Sequence, residues 1–177
     1  MQTTIILLRG VMPTGKNKVL MAPLRAALER AGLDNVRTYI QSGNVLASTR
    51  LGGSAVETLV HGVIKDTFGG DIKVLARPVR YFERALERNP YQGADPARLY
   101  FTLLADRPQD ELVASFLALG HEPDQVSVIE DMAYVLCATK YSDLRANNNF
   151  IERRLKVPAT TRNFNTISKL IELGRAA

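Results

Sequence analysis

The order of hydrophobic and polar positions predicts alternating strands and helices in the first half of the chain. Ile5 to Leu8 form a continuous apolar run typical of a buried strand, and apolar positions from Leu20 to Ala31 recur at helical spacing. Val36 to Ile40 alternate between apolar and polar side chains, and Val45 to Ala47 resume the apolar pattern after a polar turn. The second pair of segments is therefore predicted to be a β-hairpin.

A second helix and a fourth strand are predicted after the hairpin. Ser54 and Glu57 have the spacing of a capping box, and apolar residues from Val56 to Phe68 recur at helical spacing. Gly69 supplies a helix stop, and Ile72 to Ala76 have the composition of a strand. The first part of the chain thus has the order β-α-β-β-α-β.

This order is that of the split βαβ unit of ferredoxin-like folds, in which strand three lies between strands one and two and is antiparallel to both. The predicted fold class is α+β, with a ferredoxin-like lobe over residues 1–77 and a second, different α+β lobe over residues 78–177. The topology places the loop that leaves the first strand, Arg9 to Lys18, and the hairpin turn, Gln41 to Asn44, at the same edge of the sheet.

The second half predicts the order β-α-β-β-α-α. A helix ending at Asn89 leads into this half, whose own elements are a strand over Leu99 to Leu104, a helix containing Leu112 to Leu117, a hairpin over Val126 to Ile129 and Ala133 to Ala138, a helix over Ser142 to Leu155, and a last helix from Phe164.

Charge is unevenly distributed along the 177 residues, whose net charge is +5. Residues 1–50 carry seven basic and two acidic side chains, residues 51–139 carry eight and thirteen, and residues 140–177 carry eight and three. Both ends are basic, which favours an anionic partner if they meet in the fold. Cys137 is the only cysteine, so a disulfide or a cysteine-rich metal site is not expected. With only a short apolar run near Met1, a cytoplasmic protein without membrane association is predicted.

The segment from Gly10 to Asn17 has the glycine and lysine spacing of a phosphate-binding loop. Asn17 stands where a serine or threonine would bind magnesium, Pro13 lacks an N–H group, and the next helix is predicted to begin only after Lys18. These differences argue against a nucleotide hydrolase. They leave an anion site formed by glycine-exposed backbone N–H groups and neighbouring cations.

Two further segments carry polar side chains that a ligand could contact. Gln41 lies in the hairpin turn but is not needed for turn formation, whereas Ser42 and Asn44 are also explained by turn chemistry. The segment Thr160 to Thr166 precedes the last helix, whose N-terminus favours an anion. Lys169 lies seven residues after Arg162, on about the same helical face.

At this point the sequence resembles the bacterial family named domain of unknown function 1697. The resemblance depends on Leu7 to Gly10, Gly15 to Lys18 with Met21 and Leu24-Arg25, Val36 to Val45, Glu152-Arg153, and Pro158 to Thr166 with Lys169-Leu170. It implies a ferredoxin-like first subdomain followed by a different α+β subdomain, and it implies no established activity. The chain departs from the usual first loop of the family at residues 11–15 and from a Gly-Ser-Lys-Leu-like stretch at residues 141–144.

The leading hypothesis is a protein that binds a phosphate-bearing ligand, either an anionic small molecule or a nucleic acid, without a cofactor. One alternative is an enzyme that acts on a small phosphorylated substrate, and another is a homo-oligomeric interaction module. No catalytic or metal-binding residue is assigned. The predicted ligand-binding residues are Arg9, Gly10, Lys16, Asn17, Lys18, Gln41, Ser42, Asn44, Arg162, Asn163, Asn165 and Lys169.

Overall fold

The apolar run of the first strand lies inside a four-stranded antiparallel sheet in the computed structural model, which describes residues 1–12 and 14–176. The strand order is β2-β3-β1-β4, with β3 between β1 and β2 and antiparallel to both, as predicted. The elements are β1 (Gln2–Leu8), α1 (Met21–Arg30), β2 (Asp34–Tyr39), β3 (Asn44–Thr49), α2 (Gly53–Phe68), β4 (Val74–Pro78) and α3 (Val79–Glu87).

Helices α1 and α2 cover one face of this sheet because their apolar residues recur on one side of each helix. Leu24 and Leu28 of α1 and Val60 of α2 pack in the same cluster as Ile6 and Leu8 of β1. Each fully buried aliphatic side chain of this kind contributes about 2 kcal/mol to stability. The core therefore fixes the end of β1, from which the candidate loop departs.

The beginning of α2 differs from the predicted capping box. Gly52 is the N-cap residue, and no side chain caps the helix. The Glu57 carboxylate instead accepts hydrogen bonds from the Ala76 amide N–H (2.9 Å) and from Arg77 (3.0 Å). Glu57 therefore links α2 to β4. The predicted helix stop is confirmed, because Gly69 has a left-handed conformation with φ 69°.

A second four-stranded antiparallel sheet has the order β6-β7-β5-β8. The elements that follow α3 along the chain are β5 (Leu99–Leu104), α4 (Asp110–Leu117), β6 (Gln125–Ile129), β7 (Met132–Leu136), α5 (Asn148–Leu155), β8 (Ala159–Asn163) and α6 (Phe164–Arg175). The two-lobed α+β class is thus confirmed. The second sheet has the same strand arrangement as the first, a closer similarity than the sequence indicates.

Strand β8 is the element that the sequence prediction missed. Ala159–Asn163 was assigned to the segment before the last helix, but these residues pair antiparallel with β5, with Thr161 opposite Thr102. Few apolar side chains mark the strand, because its residues include two threonines, an arginine and an asparagine. The pairing with β5, which is distant in sequence, therefore determines its conformation.

The helix predicted over Ser142 to Leu155 is also shorter than expected. Leu144 is extended, with φ −70° and ψ 123°, and separates a 3₁₀ turn from α5. Asn147 then caps α5, since its side-chain oxygen accepts a hydrogen bond of 3.1 Å from the Phe150 amide. Burial of Leu144 and Ala146 in the second core stabilises this extended entry.

The chain divides into two compact units, Met1–Glu83 with Lys169–Ala177, and Arg84–Ser168. The last half of α6 is therefore grouped with the first unit. An anchor for this segment is Arg37 of β2, which donates a hydrogen bond of 2.8 Å to the Leu173 carbonyl. No helix within the described residues is long and apolar enough to cross a membrane.

Candidate functional site

The loop between β1 and α1 and the β2–β3 turn meet at one end of the first sheet, as the topology predicted. The Leu8 amide donates a hydrogen bond of 2.8 Å to the Gly43 carbonyl. Gly43 has φ 79°, and a Cβ atom built on it would lie 2.8 Å from the Leu8 Cβ and 3.0 Å from the Val11 Cγ2. Only glycine fits this close approach without strain.

The β1–α1 loop, residues 9–20, presents its two lysines to solvent. Gly10 and Gly15 adopt left-handed conformations, with φ 72° and 80°. The Lys18 amide donates to the Gly15 carbonyl at 3.2 Å, which closes a turn that carries Lys16. Lys16 and Lys18 are both exposed. Helix α1 begins at Met21, after Lys18 as expected, whereas Pro13 lies outside the described residues.

Asn17 and Arg9 lie in the same loop. The Asn17 carbonyl accepts a hydrogen bond of 3.0 Å from the Met12 amide, so the Asn17 backbone closes the loop. Its side-chain nitrogen lies 4.0 Å from the position of a Cβ atom on Gly10. Arg9 is half-buried, and its amide donates to the Lys73 carbonyl at 2.9 Å. Arg9, Gly10 and Asn17 thus lie beside the two exposed lysines.

The polar side chains of the hairpin turn donate to or accept from groups in the turn and at the end of the β1–α1 loop. Asn44 is fully buried, and its amide nitrogen donates to the Tyr39 carbonyl (3.1 Å) and to the Ser42 hydroxyl (2.9 Å). The Gln41 amide nitrogen donates to the Val19 carbonyl at 2.8 Å. These contacts give all three side chains structural roles, including Gln41, which the turn itself does not require.

Arg162 lies within β8, not at the start of a helix. Its Nη1 donates to the Thr160 hydroxyl and to the Thr161 carbonyl, both at 2.8 Å. Burial lowers the pKa of its guanidinium to about 10. Because Arg162 is in a strand, the expected common helical face with Lys169 does not exist.

The remaining predicted residues of this segment have local partners or are exposed. The Asn163 side-chain oxygen accepts a hydrogen bond of 2.8 Å from the Thr166 amide and so caps α6. Lys169 pairs with Glu172 at 2.6 Å. Asn165 is exposed on the first turn of α6. Asn163 and Asn165 belong to the second unit, and Lys169 belongs to the first.

A hydrogen-bond network holds Thr161, the residue before Arg162 in β8. The Thr161 hydroxyl donates to the Asn148 side-chain oxygen (2.9 Å) and lies 2.8 Å from the Thr102 hydroxyl. The Asn148 side-chain nitrogen donates to the Ala159 carbonyl at 3.2 Å. This network attaches the beginning of α5 to β8 and β5, and it accounts for Thr161 without a ligand.

A cavity of about 370 Å³ lies beside α2 in the first unit and is lined by Ser54, Glu57, Thr58, His61, Lys73 and Val74. Its two acid–base candidates are held by other groups. Glu57 is bonded to Ala76 and Arg77, and the His61 Nδ1 lies 2.9 Å from the Ile72 carbonyl. A general base must reach the proton that it abstracts from a substrate. Because the Glu57 carboxylate and the His61 Nδ1 contact groups of the protein itself, the cavity gives no specific support for catalysis.

A basic cluster that the sequence prediction did not include surrounds Phe150 on α5. The guanidinium carbons of Arg145, Arg153 and Arg154 lie 5.4, 5.5 and 5.3 Å from the centre of the Phe150 ring. All three arginines are exposed, and Phe150 is half-buried. The spacing in the sequence could have indicated this cluster. Arg153 and Arg154 follow Phe150 by three and four residues, and residues at these spacings lie on the same face of a helix.

The chain is similar to a described protein family and to a solved structure. The model of the family described as protein of unknown function (DUF1697) matches residues 1–134. The structure of the conserved bacterial protein SP0830 from Streptococcus pneumoniae aligns with a TM-score of 0.78 and 23% identity, covering 99% of each chain. Curated proteins give no match. The structural similarity supports the fold, and the matched family range includes the β1–α1 loop.

Proposed function

The chain belongs to the family described as protein of unknown function (DUF1697), and from this premise we propose that it binds a phosphate-bearing ligand through the β1–α1 loop. The observation that carries the proposal is the pair of exposed lysines, Lys16 and Lys18, on a loop shaped by Gly10 and Gly15. Glycines in left-handed conformations can orient backbone N–H groups toward an anion. The lysines supply the positive charge that attracts the phosphate.

The charge around this loop supports an anionic ligand. No aspartate or glutamate occurs between residues 9 and 28, whereas Arg9, Lys16, Lys18 and Arg25 lie in this stretch. Arg25 is held by a hydrogen bond of 2.8 Å to the Thr38 hydroxyl. A phosphate group bound by the loop would offset the charge of Lys16 and Lys18 and would accept hydrogen bonds from their ammonium groups.

The arrangement favours binding over nucleotide hydrolysis. Asn17 offers no hydroxyl for magnesium, and α1 begins at Met21, five residues after Lys16 rather than at the lysine. In a phosphate-binding loop of the hydrolase type, the lysine and hydroxyl stand at the start of the helix that follows the loop. The ligand is therefore a nucleotide, a phosphorylated metabolite or a nucleic-acid backbone that is bound without this chemistry.

Thermal unfolding with inorganic phosphate, adenosine triphosphate, a sugar phosphate and a short oligonucleotide tests the proposal. A ligand at about 100 times its dissociation constant adds about 2.7 kcal/mol to the free energy of unfolding. We expect one of these probes to stabilise the protein, and we expect the Lys16→Gln/Lys18→Gln variant to lose most of that shift. The control is Arg30→Gln/Lys65→Gln, which removes two exposed charges from the last turns of α1 and α2.

The possible outcomes separate the proposal from its alternatives. An equal shift in the lysine variant and the control would refute binding at the β1–α1 loop. Conversion of a bound phosphate ester to product would identify an enzyme. Absence of any shift, together with a concentration-dependent change in molecular mass, would support a homo-oligomeric interaction module instead.

A further inference from the structure

The arginine cluster on α5, defined as Arg145, Arg153 and Arg154 around Phe150, concentrates positive charge on one small surface. Lys156 extends it, since this exposed residue directly follows the helix in a left-handed conformation with φ 56°. None of these four cations forms an ion pair within residues 1–12 and 14–176. The nearby Glu152 carboxylate accepts a hydrogen bond from the Ala159 amide at 3.2 Å, so it faces β8.

Helix stabilisation explains only part of this cluster. Arg153 and Arg154 lie in the last turn of α5, where cations interact favourably with the helix dipole. Arg145 precedes the helix, so the dipole at the C-terminal end gives no reason for its position. Three like charges near a single ring repel one another, and this repulsion is relieved when an anion binds.

The ring of Phe150 holds the three guanidinium groups near one another. A guanidinium within about 6 Å of the centre of an aromatic ring is attracted to the negative face of the ring. Phe150 is itself fixed against Phe116, with ring centres 6.2 Å apart. The cluster is therefore partly ordered before any ligand arrives, which lowers the entropic cost of binding.

From this geometry we propose that the arginine cluster binds the phosphate backbone of a nucleic acid. Guanidinium groups match phosphate oxygens with paired hydrogen bonds. The cations lie on the exposed side of a helix of eight residues, which is about 12 Å long, together with its two flanks. A linear polyanion can contact several of them at once, whereas a single small phosphate can contact only those nearest to it.

This surface belongs to the second unit, and the proposal is independent of the β1–α1 loop in the first unit. Either can therefore fail alone. The two sites are separated by their variants, since Lys16→Gln/Lys18→Gln leaves the arginine cluster unchanged. Contacts to the backbone also predict binding that depends little on base sequence and strongly on salt.

Fluorescence anisotropy with a labelled oligothymidylate of about 20 nucleotides tests the proposal between about 50 and about 200 mM salt. For single strands, the slope of log K against log salt is about −0.7 for each phosphate contact. The Arg153→Gln/Arg154→Gln variant should bind at least about tenfold more weakly and lose about 1.4 from the magnitude of the slope. Arg30→Gln/Lys65→Gln, with the same charge change on other helices, should retain most of the affinity.

Two further measurements make the result decisive. The Arg153→Lys/Arg154→Lys variant keeps the charge but loses the planar fork, so we expect intermediate affinity with an unchanged thermal transition. Polyglutamate of similar length serves as a competitor. Equal binding by the glutamine variant and wild type, no binding of the oligothymidylate, or displacement by polyglutamate as efficient as by unlabelled oligothymidylate would each overturn the proposal, the last in favour of an acidic protein partner.

Discussion

The side-chain nitrogen of Gln41 donates a hydrogen bond of 2.8 Å to the carbonyl oxygen of Val19. Gln41 lies in the β2–β3 turn, and Val19 is a fully buried residue at the end of the β1–α1 loop. The contact therefore connects two segments that are 22 residues apart in sequence. It gives Gln41 a structural role at the edge where the proposed ligand binds.

Replacement of Gln41 by alanine should destabilise this edge. The variant leaves the Val19 carbonyl without its side-chain donor, and the loss of one such hydrogen bond costs about 1 kcal/mol. Urea unfolding should show this decrease, and hydrogen exchange should be faster in the β1–α1 loop. Gln2→Ala, at an exposed position of β1, is the control and should change stability by only a few tenths of a kcal/mol. Unchanged stability and exchange in Gln41→Ala would show that the contact is not maintained in solution.

Two glycine substitutions should separate close packing from backbone conformation. Gly43→Ala and Gly15→Ala each place a Cβ atom on a residue in the left-handed region. The φ angle is 79° at Gly43 and 80° at Gly15. At Gly43 the new atom also meets Leu8 and Val11, whereas at Gly15 it meets nothing within 4 Å. We expect a loss of about 3 kcal/mol for Gly43→Ala and about 1 kcal/mol for Gly15→Ala. Equal midpoints in urea would contradict the packing argument.

The fold of the first unit could be predicted from sequence because local signals agree with tertiary packing there. The apolar run of β1 and the helical spacing of α1 are strong patterns, and glycine marks the end of α2. Strand β8 has no such pattern, because Thr160, Thr161 and Arg162 become a strand only by pairing with β5. A single-sequence pattern does not contain that long-range pairing.

The contact between the β1–α1 loop and the β2–β3 turn could be predicted from sequence, whereas the hydrogen-bond partners of their polar side chains could not. Topology brought the β1–α1 loop and the β2–β3 turn together, but side-chain hydrogen bonds decide which polar groups remain available. Gln41 donates to the Val19 carbonyl and Asn44 donates to the Tyr39 carbonyl, whereas Lys16 and Lys18 stay exposed. The arginine cluster was missed because a basic helix end is usually explained by solvation and the helix dipole.

The Phe150 ring provides a test of preorganisation in the arginine cluster. Phe150→Leu keeps an apolar side chain beside Phe116 but removes the face to which the guanidinium groups are attracted. If the cluster binds nucleic acid, affinity for oligothymidylate should fall by about threefold to tenfold. The salt slope should not change, because no charge is removed.

The matched control for this prediction is Phe68→Leu, which makes the same change at a partly buried residue at the end of α2. Its affinity for oligothymidylate should equal that of the wild type. An unaltered dissociation constant for Phe150→Leu would show that the ring does not order the arginines for binding.

Tyr134 should make stability depend on alkaline pH. Its side chain is 1% exposed, and its hydroxyl donates a hydrogen bond of 3.0 Å to the Ala85 carbonyl. Burial raises the pKa of Tyr134 to about 12. The unfolded chain loses this proton near the ordinary pKa of about 10, while the folded protein retains it. The stabilisation by Tyr134 is therefore complete below about pH 10 and is lost as the pH rises toward 12.

A comparison of wild type with Tyr134→Phe isolates this effect, since phenylalanine fills nearly the same volume and does not titrate. At about pH 8 the wild type should be more stable by about 1 kcal/mol, because only the tyrosine forms the hydrogen bond to Ala85. By about pH 11, one unit above the unfolded pKa, about 1.4 kcal/mol of the wild-type stability is lost, and the variant should equal or exceed it. Urea unfolding at the two pH values measures both differences. A difference that stays constant with pH would mean that the Tyr134 hydroxyl titrates equally in the folded and unfolded states.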